Sequence, residues 1–146
     1  AGDSPLVQST SLAVLLSEFN QTKASCMLGT LNKDNPEGLG RIVRDADGEF
    51  VDIVEHKDAS LAQRQIREVN MSTYLFDAKR LVWSLGQLKN NNVQKEYYLT
   101  DCPRILKSAG DRVVAKPVLQ PCEALSINTI AELAQVEERM RDLGYP

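Results

Sequence analysis

The sequence predicts an α/β protein, and three observations carry that expectation. Apolar residues recur at helical spacing near both ends of the chain, as at Leu12, Leu15, Leu16 and Phe19, behind Ser and Thr residues suited to capping. Short apolar runs bounded by polar residues lie between them and read as buried strands. The stretch RIVRDADGEFVDIVEH alternates on either side of Asp47-Gly48, an antiparallel hairpin signal. Strands that alternate with helices argue for a sheet covered by helices.

Taken in order, residues 1–6 read as a strand end running into a turn. Asp3 then stands at the carboxyl edge of a sheet, where such folds bind ligands. Residues 9–22 form a helix and 23–31 a buried strand. Residues 32–40, with Asn35-Pro36 and two glycines, form a loop before the hairpin of 41–56. A short helix starts at Asp58, a strand covers 68–77, and a helix over 78–88 turns Leu81, Val82 and Leu85 inward with Trp83 in the core. After a polar loop, Thr100 or Asp101 caps a helix with Pro103 in its first turn. Residues 112–119 and 122–125 read as strands, and 128–144 as a closing amphipathic helix. There is no internal repeat, low-complexity tract or linker.

Bulk properties narrow the function. A chain of 146 residues with 42% hydrophobic and 25% charged residues supports one domain with its own core. A net charge of -3, with Lys and Arg scattered among acids, argues against a nucleic-acid surface. No apolar run reaches membrane-spanning length and no leader pattern is visible, so no membrane partner is expected. The three cysteines (Cys26, Cys102, Cys122) lack paired spacing. They read as buried thiols in a reducing cytoplasm rather than as a disulfide framework or zinc site.

Five stretches stand out in order: GDSPL, GLGRIVRDADGEFVDIVEHKDA, REVN, NVQKEYYLTD and, before the last helix, SIN. Together they resemble bacterial N-acetylglucosamine-1-phosphate uridyltransferases, and more narrowly the carboxyl-terminal half of their nucleotidyltransferase domain. The resemblance covers nearly the whole chain and is most specific in the Gly-Arg-Ile hairpin, VEHKD and EYYLTD. It implies part of a Rossmann-like nucleotidyltransferase, a mixed sheet flanked by helices with an antiparallel hairpin. Residues 1–146 would be the carboxyl-terminal portion of one sugar-phosphate nucleotidyltransferase domain.

The resemblance also implies an activity: transfer of uridylyl from UTP to N-acetylglucosamine 1-phosphate, with release of pyrophosphate. Two polyanions meet in such a reaction, which calls for a divalent cation, Mg2+. By match to the family motifs, Asp3 and Asn128 would hold the ion, and Gly2, Asp3, Gly40, Glu55, Asn70 and Asn128 would bind substrate. Gly40 would lay its backbone against the sugar, Glu55 would accept hydrogen bonds from hydroxyls, and Asn70 would both donate and accept. Asn128 could cap the last helix as well. Tyr97 and Tyr98 would cover the sugar or pack under their loop, and Lys57 reads as a solvated lysine.

No catalytic side chain beyond the metal ligands is expected, because a sugar phosphate is already an anionic nucleophile. His56 should face away from Glu55, since neighbours on a strand point to opposite faces.

Two departures matter. The family usually has Thr-Gly after its sugar-reading Asn, where this chain has Met71-Ser72, and Gly before EYY, where it has Lys95. Bulk beside the pocket and a charge on its loop leave the sugar open. They favour, as an alternative, a non-catalytic sugar-nucleotide-binding or regulatory module. A related pyrophosphorylase using another nucleotide such as dTTP is a third reading. The family's amino-terminal nucleotide-binding half, with its Gly-rich phosphate loop, is missing from these residues. The chain alone should therefore be inactive and should dock that missing half, with a homo-oligomer as an open alternative.

Overall fold

The computed structural model describes residues 3–145. In chain order they form α1 (Ser9–Thr22), β1 (Cys26–Asn32), β2 (Arg41–Arg44), β3 (Phe50–Val54), α2 (Leu61–Arg64), β4 (Glu68–Phe76), α3 (Ala78–Leu85), α4 (Cys102–Ser108), β5 (Val113–Lys116) and α5 (Ile130–Asp142). Short 3-10 turns cover Leu99–Asp101 and Pro121–Ala124. One five-stranded sheet runs in the order β3-β2-β4-β1-β5. It is mixed: β1 pairs antiparallel with β4 and parallel with β5, and β2–β3 is the expected hairpin.

β1 is buried along its length except at Asn32, because both faces of the sheet are covered there. On one face Cys26, Leu28, Ile42, Phe50, Ile53 and Val113 meet Leu106 of α4. On the other Met27, Leu31, Val69 and Leu119 meet Leu15 of α1. Gly29 makes the second contact close: a Cβ there would lie 2.9 Å from Leu15 Cδ1 and 3.1 Å from Leu119 Cδ2. A third cluster, Leu6, Cys122 and Val136, seats α5.

Several elements differ from expectation. α1 meets the sheet along Ser11, Leu15 and Phe19, one residue per turn, so Leu12 and Leu16 on the flank stay 42% and 52% exposed. In α3 the buried residue is Ser84, so Val82 and Leu85 point outward. Trp83 is not core either; it lies half-exposed beneath the Arg80 guanidinium, 4.4 Å from the ring centroid. α2 begins after Ser60, whose capping box with Gln63 displaces Asp58 as the start.

Residues 122–125 are not a strand. Pro121 opens a 3-10 turn there, and Glu123 turns inward, 5% exposed. Its carboxylate accepts from the Gln8 and Gln120 backbone N–H groups and from the Ser11 hydroxyl. A buried acid thus supplies the cap that α1 lacks in its own sequence. All three cysteines are buried free thiols.

β4 carries a bulge that the sequence does not announce. Gly29 pairs with Thr73 and Thr30 with Asn70, leaving Met71 and Ser72 unopposed. Ser72 takes φ +53 there, and Lys95 in the polar loop takes φ +56. Both positions where the chain departs from the family glycine are therefore left-handed. The backbone a glycine would favour is kept, at a conformational cost. Met71 packs into the Leu15–Met27 cluster, and Lys95 is exposed. The expected bulk beside the pocket is instead absorbed by the core.

Candidate functional site

The sheet brings Gly40, Glu55 and Asn70 into one cluster. Gly40 ends the loop before β2, and its carbonyl accepts from the Asn70 N–H at 2.9 Å. Glu55 directly follows β3, the hairpin partner of β2, so its carboxylate lies against Gly40. A Cβ at Gly40 would stand 3.5 Å from both Glu55 oxygens and 3.0 Å from Ile53 Cγ2. The tight approach is to Ile53, whereas a Cβ would only touch the carboxylate.

Thr100, considered from the sequence only as a helix cap, belongs to the cluster: its hydroxyl donates to Glu55 Oε1 at 2.9 Å. Tyr74 joins as well, donating to Asn70 Oδ1 at 2.9 Å. The only signal for Thr100 was its place in the EYYLTD stretch, and Tyr74 had none. α4 is capped by Asp101 without a side-chain cap bond; that carboxylate instead accepts from Arg104 at 2.9 Å.

A cavity of about 490 Å³ opens beside Glu55, lined also by Asp52, Asp58, Tyr98 and Arg104. It meets the cluster at Glu55, and Gly40 and Asn70 lie outside its lining. Tyr97 points to solvent, while the Tyr98 hydroxyl is buried without a hydrogen-bond partner among the described residues. Burial, and then the carboxylates of Asp58, Glu96, Glu55 and Asp101, push its phenol above the ordinary range, so it stays protonated. The Tyr98 hydroxyl is therefore a buried donor left without a partner among the described residues.

His56 pairs with the other side of the hairpin. Its Nδ1 lies 3.3 Å from an Arg41 guanidinium nitrogen, whereas Glu55 lies with Gly40. Lys57 is exposed.

Asp3 and Asn128 also come together. The Ile127 N–H donates to the Asp3 carbonyl at 2.8 Å, which ties the two segments side by side. Both residues are exposed. Thr129, not Asn128, caps α5, accepting from the Glu132 N–H at 3.2 Å. The Asn128 backbone N–H goes to Glu132 Oε2, and this bond, followed by that from Thr129, holds the Glu132 carboxyl below its usual range. Asn128 Nδ2 donates to Ser126 Oγ at 3.2 Å, which turns Oδ1 the other way. A carboxylate and an amide oxygen, both open to solvent, fit the sparse protein ligation of Mg2+. Among the described residues no group of three or more His, Cys, Asp or Glu side chains could hold a metal. Gly2 lies outside the described residues.

The fold has counterparts among solved structures. UDP-glucose pyrophosphorylase complexed with UDP-glucose matches with a TM-score of 0.68 over 93% of this chain and 51% of that one, at 14% identity. An apo-UDP-glucose pyrophosphorylase matches with a TM-score of 0.60 over 90% of this chain and 50% of that one, again at 14% identity. The chain thus shares its fold with about half of each of these UDP-glucose pyrophosphorylase structures.

Sequence relatives are more particular: along nearly its whole length the chain is homologous to a segment of the bifunctional GlmU proteins. It is 45% identical over 141 residues to that of Geobacillus sp. (strain WCH70), covering 97% of this chain and 31% of the relative. It is 41% identical over 140 residues to that of Brevibacillus brevis, covering 96% of this chain and 30% of the relative. With that of Streptococcus suis it is 43% identical over 141 residues, covering 97% of this chain and 31% of the relative. The chain spans about a third of the length of these relatives. No family model matches the sequence.

Proposed function

We propose that residues 1–146 are the carboxyl-terminal, sugar-phosphate-binding portion of a nucleotidyltransferase domain. The complete protein would transfer uridylyl from UTP to N-acetylglucosamine 1-phosphate, yielding UDP-N-acetylglucosamine and pyrophosphate. The observation that carries this reading is the convergence of Gly40, Glu55, Asn70 and Thr100 from four separate segments.

Each residue then has a task. Glu55, one oxygen steadied by Thr100, accepts from sugar hydroxyls, and a carboxylate is a strong acceptor. Gly40 lets the sugar ring approach the backbone. Asn70 reads the substituent on the sugar. Asp3 and Asn128 would hold Mg2+, which when bound neutralises phosphate charge and favours in-line displacement. The sugar phosphate attacks as an anion, so no side chain of this chain serves as a base.

The nucleotide side of the site lies in sequence beyond these residues, and the 146-residue chain alone should be inactive. A cytoplasmic setting suits a UTP-dependent reaction, and no helix among the described residues is long and apolar enough to cross a membrane. The alternative of a non-catalytic binding module loses its main motive, because Met71 packs into the core and Ser72 and Lys95 keep the glycine-like backbone.

The test is pyrophosphate release from UTP by the full-length protein. Glu55→Ala should lower kcat/KM for N-acetylglucosamine 1-phosphate about 10- to 150-fold, the effect of removing a charged hydrogen-bond partner from a binding site. Full activity in that variant, or transfer by the 146-residue chain alone, would overturn the reading.

A further inference from the structure

The bulge in β4 does more than accommodate two residues. In a regular strand, residues four apart stand about 13 Å from one another. Across Met71 and Ser72 the strand shortens, and the Tyr74 hydroxyl reaches back to Asn70 Oδ1 at 2.9 Å. The left-handed turn at Ser72 aims its backbone N–H at the same oxygen, at 3.3 Å. A carbonyl oxygen has two lone pairs, and both are thereby used.

The Ser72 N–H can only donate, which fixes which end of the Asn70 amide is oxygen. The Tyr74 phenol is pushed up by burial and keeps its proton, so it donates too. Asn70 itself is 6% exposed. Its NH2 group makes no hydrogen bond among the described residues, and it is not one of the fully buried polar atoms left unpaired, which are Arg41 Nε and the Tyr98 hydroxyl. An entering molecule therefore meets the amide at its NH2.

We propose that Tyr74 is a positioning and specificity-determining residue: with the Ser72 N–H it saturates Asn70 Oδ1 and makes the Asn70 amide a donor only toward the sugar site. This rests on the sugar-site reading above, and it corrects the expectation that Asn70 both donates and accepts. A donor-only amide selects a sugar whose substituent presents an acceptor, as the carbonyl of a 2-acylamino group does. It disfavours a 2-ammonium group, which has only donors to offer. A hydroxyl from Tyr74 is needed because a single N–H leaves the amide free to swing about its side-chain torsions.

Calorimetric binding of N-acetylglucosamine 1-phosphate and glucosamine 1-phosphate to the full-length protein tests this without relying on turnover. Tyr74→Phe, which removes one oxygen and keeps the ring, should reduce the preference for the acylated sugar about 3- to 10-fold, as loss of one hydrogen bond allows. Asn70→Asp keeps an oxygen for both donors but turns a second oxygen outward, so the preference should shift toward the ammonium sugar. Where Tyr74→Phe fails to fold, Tyr74→Leu, which also lacks the hydroxyl, takes its place. A preference unmoved when the Tyr74 hydroxyl is removed overturns the role of Tyr74 and leaves the sugar site standing. Binding of neither sugar phosphate to the unaltered protein defeats the sugar-site reading and this inference with it.

Discussion

The Thr100 hydroxyl and Glu55 Oε1 lie 2.9 Å apart although 45 residues separate them in sequence. The bond joins the end of the β2–β3 hairpin to the start of α4 and steadies the carboxylate that we assign to the sugar. Thr100→Val keeps the shape and removes the donor. KM for the sugar phosphate should rise about 3- to 10-fold, with KM for UTP unchanged, in steady-state kinetics of the full-length protein.

Gly40 is a matter of space. Its φ is unexceptional, but a Cβ would come within 3.0 Å of Ile53 Cγ2 and 3.5 Å of both Glu55 oxygens. Gly40→Ala should destabilise the protein by about 1–3 kcal/mol through overpacking. It should also weaken sugar-phosphate binding, because the methyl would occupy space proposed for the sugar ring. Denaturation and direct binding measure the two effects separately.

Ser72 and Lys95 sit at φ +53 and +56, where L residues are strained. Ser72→Gly and Lys95→Gly should each stabilise the protein by about 0.5–1 kcal/mol, the relief of strain exceeding the extra entropy of glycine in the unfolded chain. The urea midpoint should rise at constant slope. A fall in either variant would mean that the side chain makes contacts worth more than the strain.

Arg80 fastens α3 to the turn before β5. Its Nε donates to both Asp111 oxygens at 3.0 Å, and Ser25 donates to Asp111 Oδ1 at 2.8 Å. The hydrogen bond from Arg80, then that from Ser25, outweighs burial and holds the Asp111 carboxyl below its ordinary value. A carboxyl lowered in the folded state contributes stability that is present above the unfolded pKa, about 4. That contribution is lost as pH falls through the lower folded value. Asp111→Asn should therefore flatten the stability loss below about pH 4 and leave the slope near neutrality unchanged. Hydrogen exchange in β1 and β5 of the full-length protein would follow both limbs.

The order of helices and strands was legible because hydrophobic period is a local property: residues 9–22, the hairpin around Asp47-Gly48 and strand 68–77 all lie where their patterns put them. Legibility failed where burial depends on what a helix meets. Leu12, Leu16, Val82 and Leu85 all sit on an apolar stripe, yet α1 uses the Ser11–Leu15–Phe19 seam and α3 turns Ser84 inward. Residues 122–125 were misjudged because four residues carry too little period to separate a strand from a 3-10 turn.

The candidate site divides in the same way. Resemblance to the family motifs, legible in the sequence by itself, picked out Asp3, Gly40, Glu55, Asn70 and Asn128, and the similarity to the GlmU proteins runs along 97% of the chain. Only the tertiary structure decided that Thr100 holds Glu55, that Ile127 ties Asp3 beside Asn128, and that Tyr74 turns Asn70 into a donor. The last of these arises from a bulge that shifts strand register by two residues. Register is settled by the packing of the whole sheet, and no local run of residues encodes it.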